Sequence, residues 1–122
     1  MAEEEDVPVA TVQVKSFDAP DEVYPFPDGK SQGEFVTIND ATVVRSRLAP
    51  GWAWDEQIQP MTDGWTTCPL HHLEYVISGR IRYLLEDGSE TVANPGSYLD
   101  IPPGHRAWVE GDEECVLLDW GE

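Results

Sequence analysis

The run "HLEYVISGRIRYLLEDGSETVANPGSYLDIPPGHRAWVE", residues 72 to 110, decides the fold. Short blocks of Val, Ile, Leu, Tyr and Thr recur along it, closed in turn by Gly, Asp-Gly, Asn-Pro-Gly and Pro-Pro-Gly. β-branched and aromatic residues suit a pleated, half-buried surface, and the closing groups permit tight reversals with positive φ. Reversals at this regular spacing predict antiparallel strands of a sandwich or barrel. The expected strands are 72–78, 80–86, 89–94, 97–101 and 106–110.

The same vocabulary extends in both directions. "CVLLDW" (115–120) reads as a further strand, as do "ATVQVKSF" (10–17), "EFVTI" (34–38) and "ATVVRSRL" (41–48). No stretch carries a sustained helical period, so the reading is all-β. Residues 18–33, "DAPDEVYPFPDGKSQG", hold Pro20, Pro25 and Pro27 among acidic turns and read as an arm or long loop, with Tyr24 and Phe26 packing it onto the barrel or a neighbouring subunit. Residues 1–33 are thus expected to form an acidic tail and a Pro-rich arm, and residues 34–122 the barrel.

A chain of 122 residues supports a single core. Its 24 acidic and 7 basic residues leave a net charge of −17, which argues against nucleic acid or an anionic membrane as partner. Part of that charge lies in "AEEED" (2–6), read as a solvated tail. No apolar run is long enough to span a membrane. Two cysteines, Cys68 and Cys115, and an N-terminus without a secretory pattern point to a reducing cytoplasm, with each thiol a small hydrophobe or, for Cys68 beside two histidines, a metal ligand.

The second half resembles a cupin, the small jelly-roll or double-stranded β-helix family. "HHLEYVISGR" followed by "IRYLLEDGSE" is similar to the end of the first cupin motif, G-x5-H-x-H-x(3,4)-E-x6-G, with Gly79 as its closing glycine. "PGSYLDIPPGHRAW" is similar to the second, G-x5-P-x-G-x2-H-x3-N, with Gly96, Pro102 and Gly104 in place, and "APGWAW" (49–54) resembles the Pro-Gly turn that leads into the first. The likeness spans about residues 41–120. It implies a jelly-roll barrel, a small-molecule pocket inside it, a divalent metal and a homodimer. The usual ligand slots do not hold their usual residues: the first motif has Thr66, Cys68 and His72 there, and the second has Ala107, with His105 two residues earlier.

Strand alternation tests the ligands independently. His72, Glu74 and Val76 share one strand face, and His71, Leu73 and Tyr75 the other. The resemblance turns position 72 inward, and His105 has the parity of the inward slot at 107. Cys68 matches an inward slot, subject to the kink at Pro69. His72, His105 and Cys68 are therefore the candidate metal ligands, with Glu74 as a further ligand or a catalytic base. Such a set suits zinc, and histidine with carboxylate also suits iron, nickel or manganese. Against it stands a histidine satisfied by hydrogen bonds and a cysteine that only fills space. His71 is expected at the surface unless a bulge precedes the strand.

The candidate pocket aromatics are Trp52, Trp54, Tyr75 and Trp108. Trp52 and Trp54, at i and i+2, are expected on one strand face, in the core or as a wall at the barrel mouth. Tyr75 and Trp108 have the opposite parity to the histidines, which favours the sheet exterior or a subunit interface. The alternating pairs Arg45/Arg47 and Arg80/Arg82 are expected to meet carboxylates at the surface, the other reading being an anion-binding rim. A nucleophilic Cys68 assisted by His72 is a further reading. The leading expectation is a small-molecule-binding cupin whose metal would act as a Lewis acid or redox centre toward a small oxygenated metabolite. The alternatives are a metal-free metabolite-binding or sensing module, and a protein–protein module whose barrel is filled by side chains.

Overall fold

The computed structural model describes residues 10–120. The expected acidic tail at 2–6 lies outside the described residues. Nine strands are found among the described residues: β1 (Glu22–Pro25), β2 (Gln32–Ile38), β3 (Ala41–Leu48), β4 (His72–Ser78), β5 (Arg80–Leu85), β6 (Glu90–Ala93), β7 (Tyr98–Ile101), β8 (His105–Glu110) and β9 (Cys115–Asp119). They form two antiparallel sheets, one of six strands in the order β1-β2-β3-β9-β4-β7 and one of three in the order β6-β5-β8. Side chains alternate between the space enclosed by the sheets and the outside, as the burial of His105, Ala107 and Val109 in β8 shows. The core lies between the layers, where Leu48, Val76 and Leu117 from the larger sheet meet Ile81, Tyr83 and Val109 from the smaller.

From residue 72 onward the expected strands agree with those found to within a residue or two. Gly79 explains the tight passage from β4 to β5. Its φ is +71°, and a Cβ there would stand 2.3 Å from the Glu114 carbonyl oxygen, so both the conformation and the space demand glycine.

Three expectations are corrected. Residues 10–16 form no strand, and it is Glu22–Pro25 that takes the place beside β2. Val12 and Val14 accordingly stand exposed, and the segment is held by Lys15, whose Nζ donates to Asp21 and to the Thr37 carbonyl. The segment 18–33 is not wholly a loop: Glu22–Pro25 pairs with Gln32–Phe35 as β1. Its Phe26 packs on the core edge-on to Trp52, at 5.6 Å between centroids, and Tyr24 packs edge-on to Phe26. Lastly, Trp52 and Trp54 do not share a strand. After an isolated bridge at Ala53 the chain turns into a one-turn helix α1 (Trp54–Gln57) and a short 3-10 turn (Gln59–Met61), a segment too short to show helical periodicity.

Three of the four arginines in the alternating pairs, Arg45, Arg47 and Arg82, meet carboxylates. Arg45 Nε and Arg47 Nε donate to opposite oxygens of the buried Glu34, at 2.6 and 3.1 Å, and Arg82 donates to Glu90 and Glu110. Among the described residues no helix is long and apolar enough to cross a membrane.

Candidate metal centre and cavity

Two strands of the large sheet and one of the small sheet bring the candidate ligands together. β4 carries His72 and Glu74 inward, β9 carries Asp119, and β8 begins with His105, which is 4% exposed. Cys68 precedes β4, and its backbone is tied to β8: the Cys68 N–H donates to the His105 carbonyl at 2.9 Å, and the Gly104 N–H donates to the Cys68 carbonyl at 2.7 Å. That isolated bridge seats the thiol opposite His105 despite Pro69. Ligand atoms of Cys68, His72 and His105 all lie within 4.8 Å of one another, and the imidazole rings sit 5.1 Å apart at 75°.

Each imidazole is locked from behind. His105 Nδ1 donates to the Pro102 carbonyl at 2.7 Å, which leaves Nε2 as the nitrogen that meets Cys68. His72 Nδ1 donates to the Asp119 carboxylate at 2.8 Å, and its Nε2 stands 3.6 Å from the Cys68 sulfur. Histidine ligands commonly carry this kind of outer partner, which fixes the tautomer and raises basicity. The spacing also fits a tetrahedral ion: bonds of about 2.3 Å to sulfur and 2.1 Å to nitrogen place S and N roughly 3.6 Å apart. A second group, His72, Glu74 and Asp119, also clusters within 4.8 Å. There the two carboxyl groups already satisfy each other by sharing a hydrogen bond.

The electrostatics follow from burial and these contacts. Burial alone would push the Cys68 thiol up, but hydrogen bonds from His105 and His72 outweigh it and bring the thiol down to about 6. Burial likewise works against a charged His72, and the bonds to Asp119 and Cys68 prevail, raising it to about 10. Both shifts favour a thiolate at Cys68 beside an imidazolium at His72 near neutral pH. Glu74 is pushed up to about 8, first by burial and then by Asp119. Its carboxyl also accepts a short hydrogen bond from the Tyr83 hydroxyl, a group that burial raises well above its ordinary value.

A cavity of about 180 Å³ opens on this cluster. Its remaining wall includes Phe26, Leu48, Trp52, Trp54, Ile58 and Trp65. Trp52 and Trp54 belong to the core and also reach the cavity. Their indole nitrogens are fully covered and make no hydrogen bond, so neither ring shows the cavity a polar atom. The barrel is consequently not filled by side chains, which weighs against a purely structural protein–protein module. Tyr75 and Trp108 do not line the cavity. Tyr75 is 39% exposed on the outer face of β4, and Trp108 faces outward from β8, as their parity requires. His71 is also outside, with Nε2 2.7 Å from Asp100.

Sequence reasoning missed Asp119, Tyr83, Phe26 and Trp65. A usable signal existed for Asp119, a lone charge in the apolar run "CVLLDW" at the parity of Cys115 and Leu117. For Phe26 and Trp65 none existed, since both reach the cavity from irregular segments.

No protein-family model matches the chain, and no curated protein matches it. Solved structures do. The polyketide cyclase RemF from Streptomyces resistomycificus superposes with a TM-score of 0.63 at 14% identity, over 91% of this chain and 79% of that one. A sugar phosphate isomerase of the cupin superfamily from Silicibacter pomeroyi gives a TM-score of 0.61 at 14% identity, covering 88% and 73%. A cupin-like protein from Thermotoga maritima gives 0.52 at 16% identity, covering 75% and 67%. Identities this low speak to the fold alone, and with the two facing antiparallel sheets they establish the chain as a cupin-like jelly-roll barrel.

Proposed function

We propose that the protein is a small-molecule-binding cupin with a divalent metal centre held by Cys68, His72 and His105. The observation that carries this reading is the backing of both imidazoles, by Asp119 and by the Pro102 carbonyl, which aims one lone-pair nitrogen of each toward the Cys68 sulfur. One thiolate and two imidazoles favour zinc, and three protein ligands leave a fourth position open. A zinc ion there supplies Lewis acidity toward an oxygen of the ligand.

The chain's own residues provide the rest. Asp119 holds His72 in the tautomer whose Nε2 can bind. Glu74, buried between Tyr83 and Asp119 at the cavity, keeps a proton near neutral pH and is the chain's candidate to exchange it with a ligand oxygen. The aromatic wall makes the rest of the cavity apolar. The free thiols Cys68 and Cys115 fit a reducing, cytoplasmic setting. Tyr75, Ile77 and Tyr98 stand exposed on the outer face of the six-stranded sheet and supply an apolar surface for a homodimer, which sedimentation would check.

Zinc titration of metal-stripped protein tests the metal centre. Wild type should bind one equivalent, and His72→Ala and Cys68→Ala should each weaken binding by about a hundredfold or more. Unchanged affinity in both variants defeats the reading.

A second reading rests on the same chain of contacts. In metal-free protein Asp119, His72 and Cys68 line up as an oriented base beside a thiolate, the arrangement of a cysteine nucleophile. Alkylation of Cys68 that persists at the same rate with saturating zinc would favour it.

A further inference from the structure

We infer that the cavity selects an uncharged molecule of single-ring size carrying one hydroxyl or carbonyl oxygen, and discriminates against anions and polyols; this rests on the metal-centre reading for where the oxygen docks. Volume sets the size. A cavity of roughly 150 Å³ lined by apolar side chains takes benzene, so about 180 Å³ admits one ring with a small substituent.

Charge sets the sign. Among the described residues that line the cavity none is Lys or Arg, and its two histidines are already committed, His72 to Asp119 and His105 to the Pro102 carbonyl. A dication would already be matched by the Cys68 thiolate and the Asp119 carboxylate, so an anionic ligand would bring an uncompensated charge into a buried site. The net charge of −17 adds a repulsive field at the mouth.

The apolar wall limits the polar atoms of the ligand to one end. Trp52 and Trp54 present no N–H to the cavity, and the polar lining side chains outside the Cys68, His72, Glu74, Tyr83, His105 and Asp119 cluster reduce to Ser46 and the indole of Trp65 at the mouth. A polyol would lose hydrogen bonds to water over most of its surface without replacement. The mouth is marked by Trp65 and Leu70, the most exposed of the apolar lining residues at 37% and 47%. Trp65 thereby places a flat ring at the mouth, where a bound molecule would meet it.

Calorimetry on the full chain, zinc-loaded and zinc-stripped with zinc content measured in each, compares benzyl alcohol, benzoate and glucose. Benzyl alcohol and benzoate share a shape and differ in charge. The expected result is binding of benzyl alcohol about tenfold or more tighter than benzoate and glucose, and a loss of about fivefold in Trp65→Ala at unchanged zinc content. Benzoate or glucose binding as tightly as benzyl alcohol, or no heat from any of the three, overturns the inference. A chain that takes up no zinc yet keeps the benzyl alcohol preference refutes the metal centre and leaves the selectivity standing.

Discussion

Replacing Glu74 by Gln should remove a pH dependence of stability that the wild type carries. Glu74 is held up to about 8 from an ordinary 4.5 by burial and by Asp119, so between those values the folded chain binds a proton that the unfolded chain has released. For a group raised in this way, stability is fully present below pH 4.5 and is lost as pH rises toward 8. Each pH unit costs about 1.4 kcal/mol, so wild type should lose about 3 kcal/mol between pH 5.0 and 7.5. Gln copies the protonated acid: its carbonyl can still accept from Tyr83, and its amide can donate to Asp119. The variant should match wild type at pH 5 and exceed it increasingly above. Both proteins keep His72 and Cys68, and the Glu74 charge is only the last of the causes that raise His72. Their own contributions also oppose each other, the raised histidine losing stability between 6.5 and about 10 and the lowered thiol gaining it between about 6 and 9. Urea unfolding in chelator at five pH values gives the two curves. Parallel curves, within about 0.5 kcal/mol over the range, would refute a protonated buried Glu74.

Other outcomes follow from the same geometry. Iodoacetamide should label Cys68 in stripped protein near pH 7 faster than an ordinary thiol, and one equivalent of zinc should slow it at least tenfold, read by mass spectrometry; Cys115, raised to about 12 by burial and by the nearby Glu74 and Glu114 charges, should not react in the folded chain. Asp119→Asn should lower zinc affinity by about 10- to 100-fold while leaving one bound equivalent at saturation, measured by competition with a chelating dye. Gly79→Ala should cost roughly 2–4 kcal/mol in urea unfolding, since it meets both a positive φ and the Glu114 carbonyl.

Much of this architecture was legible because turn chemistry and period-2 alternation are local signals. Gly79, the Asn-Pro-Gly turn at 94–96 and the Pro-Pro-Gly turn at 102–104 divide the strands correctly from β4 onward, and parity alone separates His72 from His71 and His105 from Trp108. Residues 10–17 show where local reading stops. Their alternating valines are a good strand pattern, yet it is Glu22–Pro25 that pairs with β2, a choice between segments that no local pattern encodes. The site divides in the same way. Cys68, His72 and His105 converge as alternation suggested, whereas Asp119 and the cavity wall depend on which strands become neighbours, and the β9–β4 pairing is separated by some forty residues of chain.

If Cys68, His72 and His105 share one metal ion, X-ray absorption at the zinc edge of protein purified without chelator will read all three in a single shell. Close to one zinc per chain is expected, with a single sulfur at about 2.3 Å, two imidazole nitrogens and one lighter ligand at about 2.0–2.1 Å, and loss of the sulfur shell in Cys68→Ala. Less than about a tenth of an equivalent of any transition metal, or a first shell without sulfur, would contradict it.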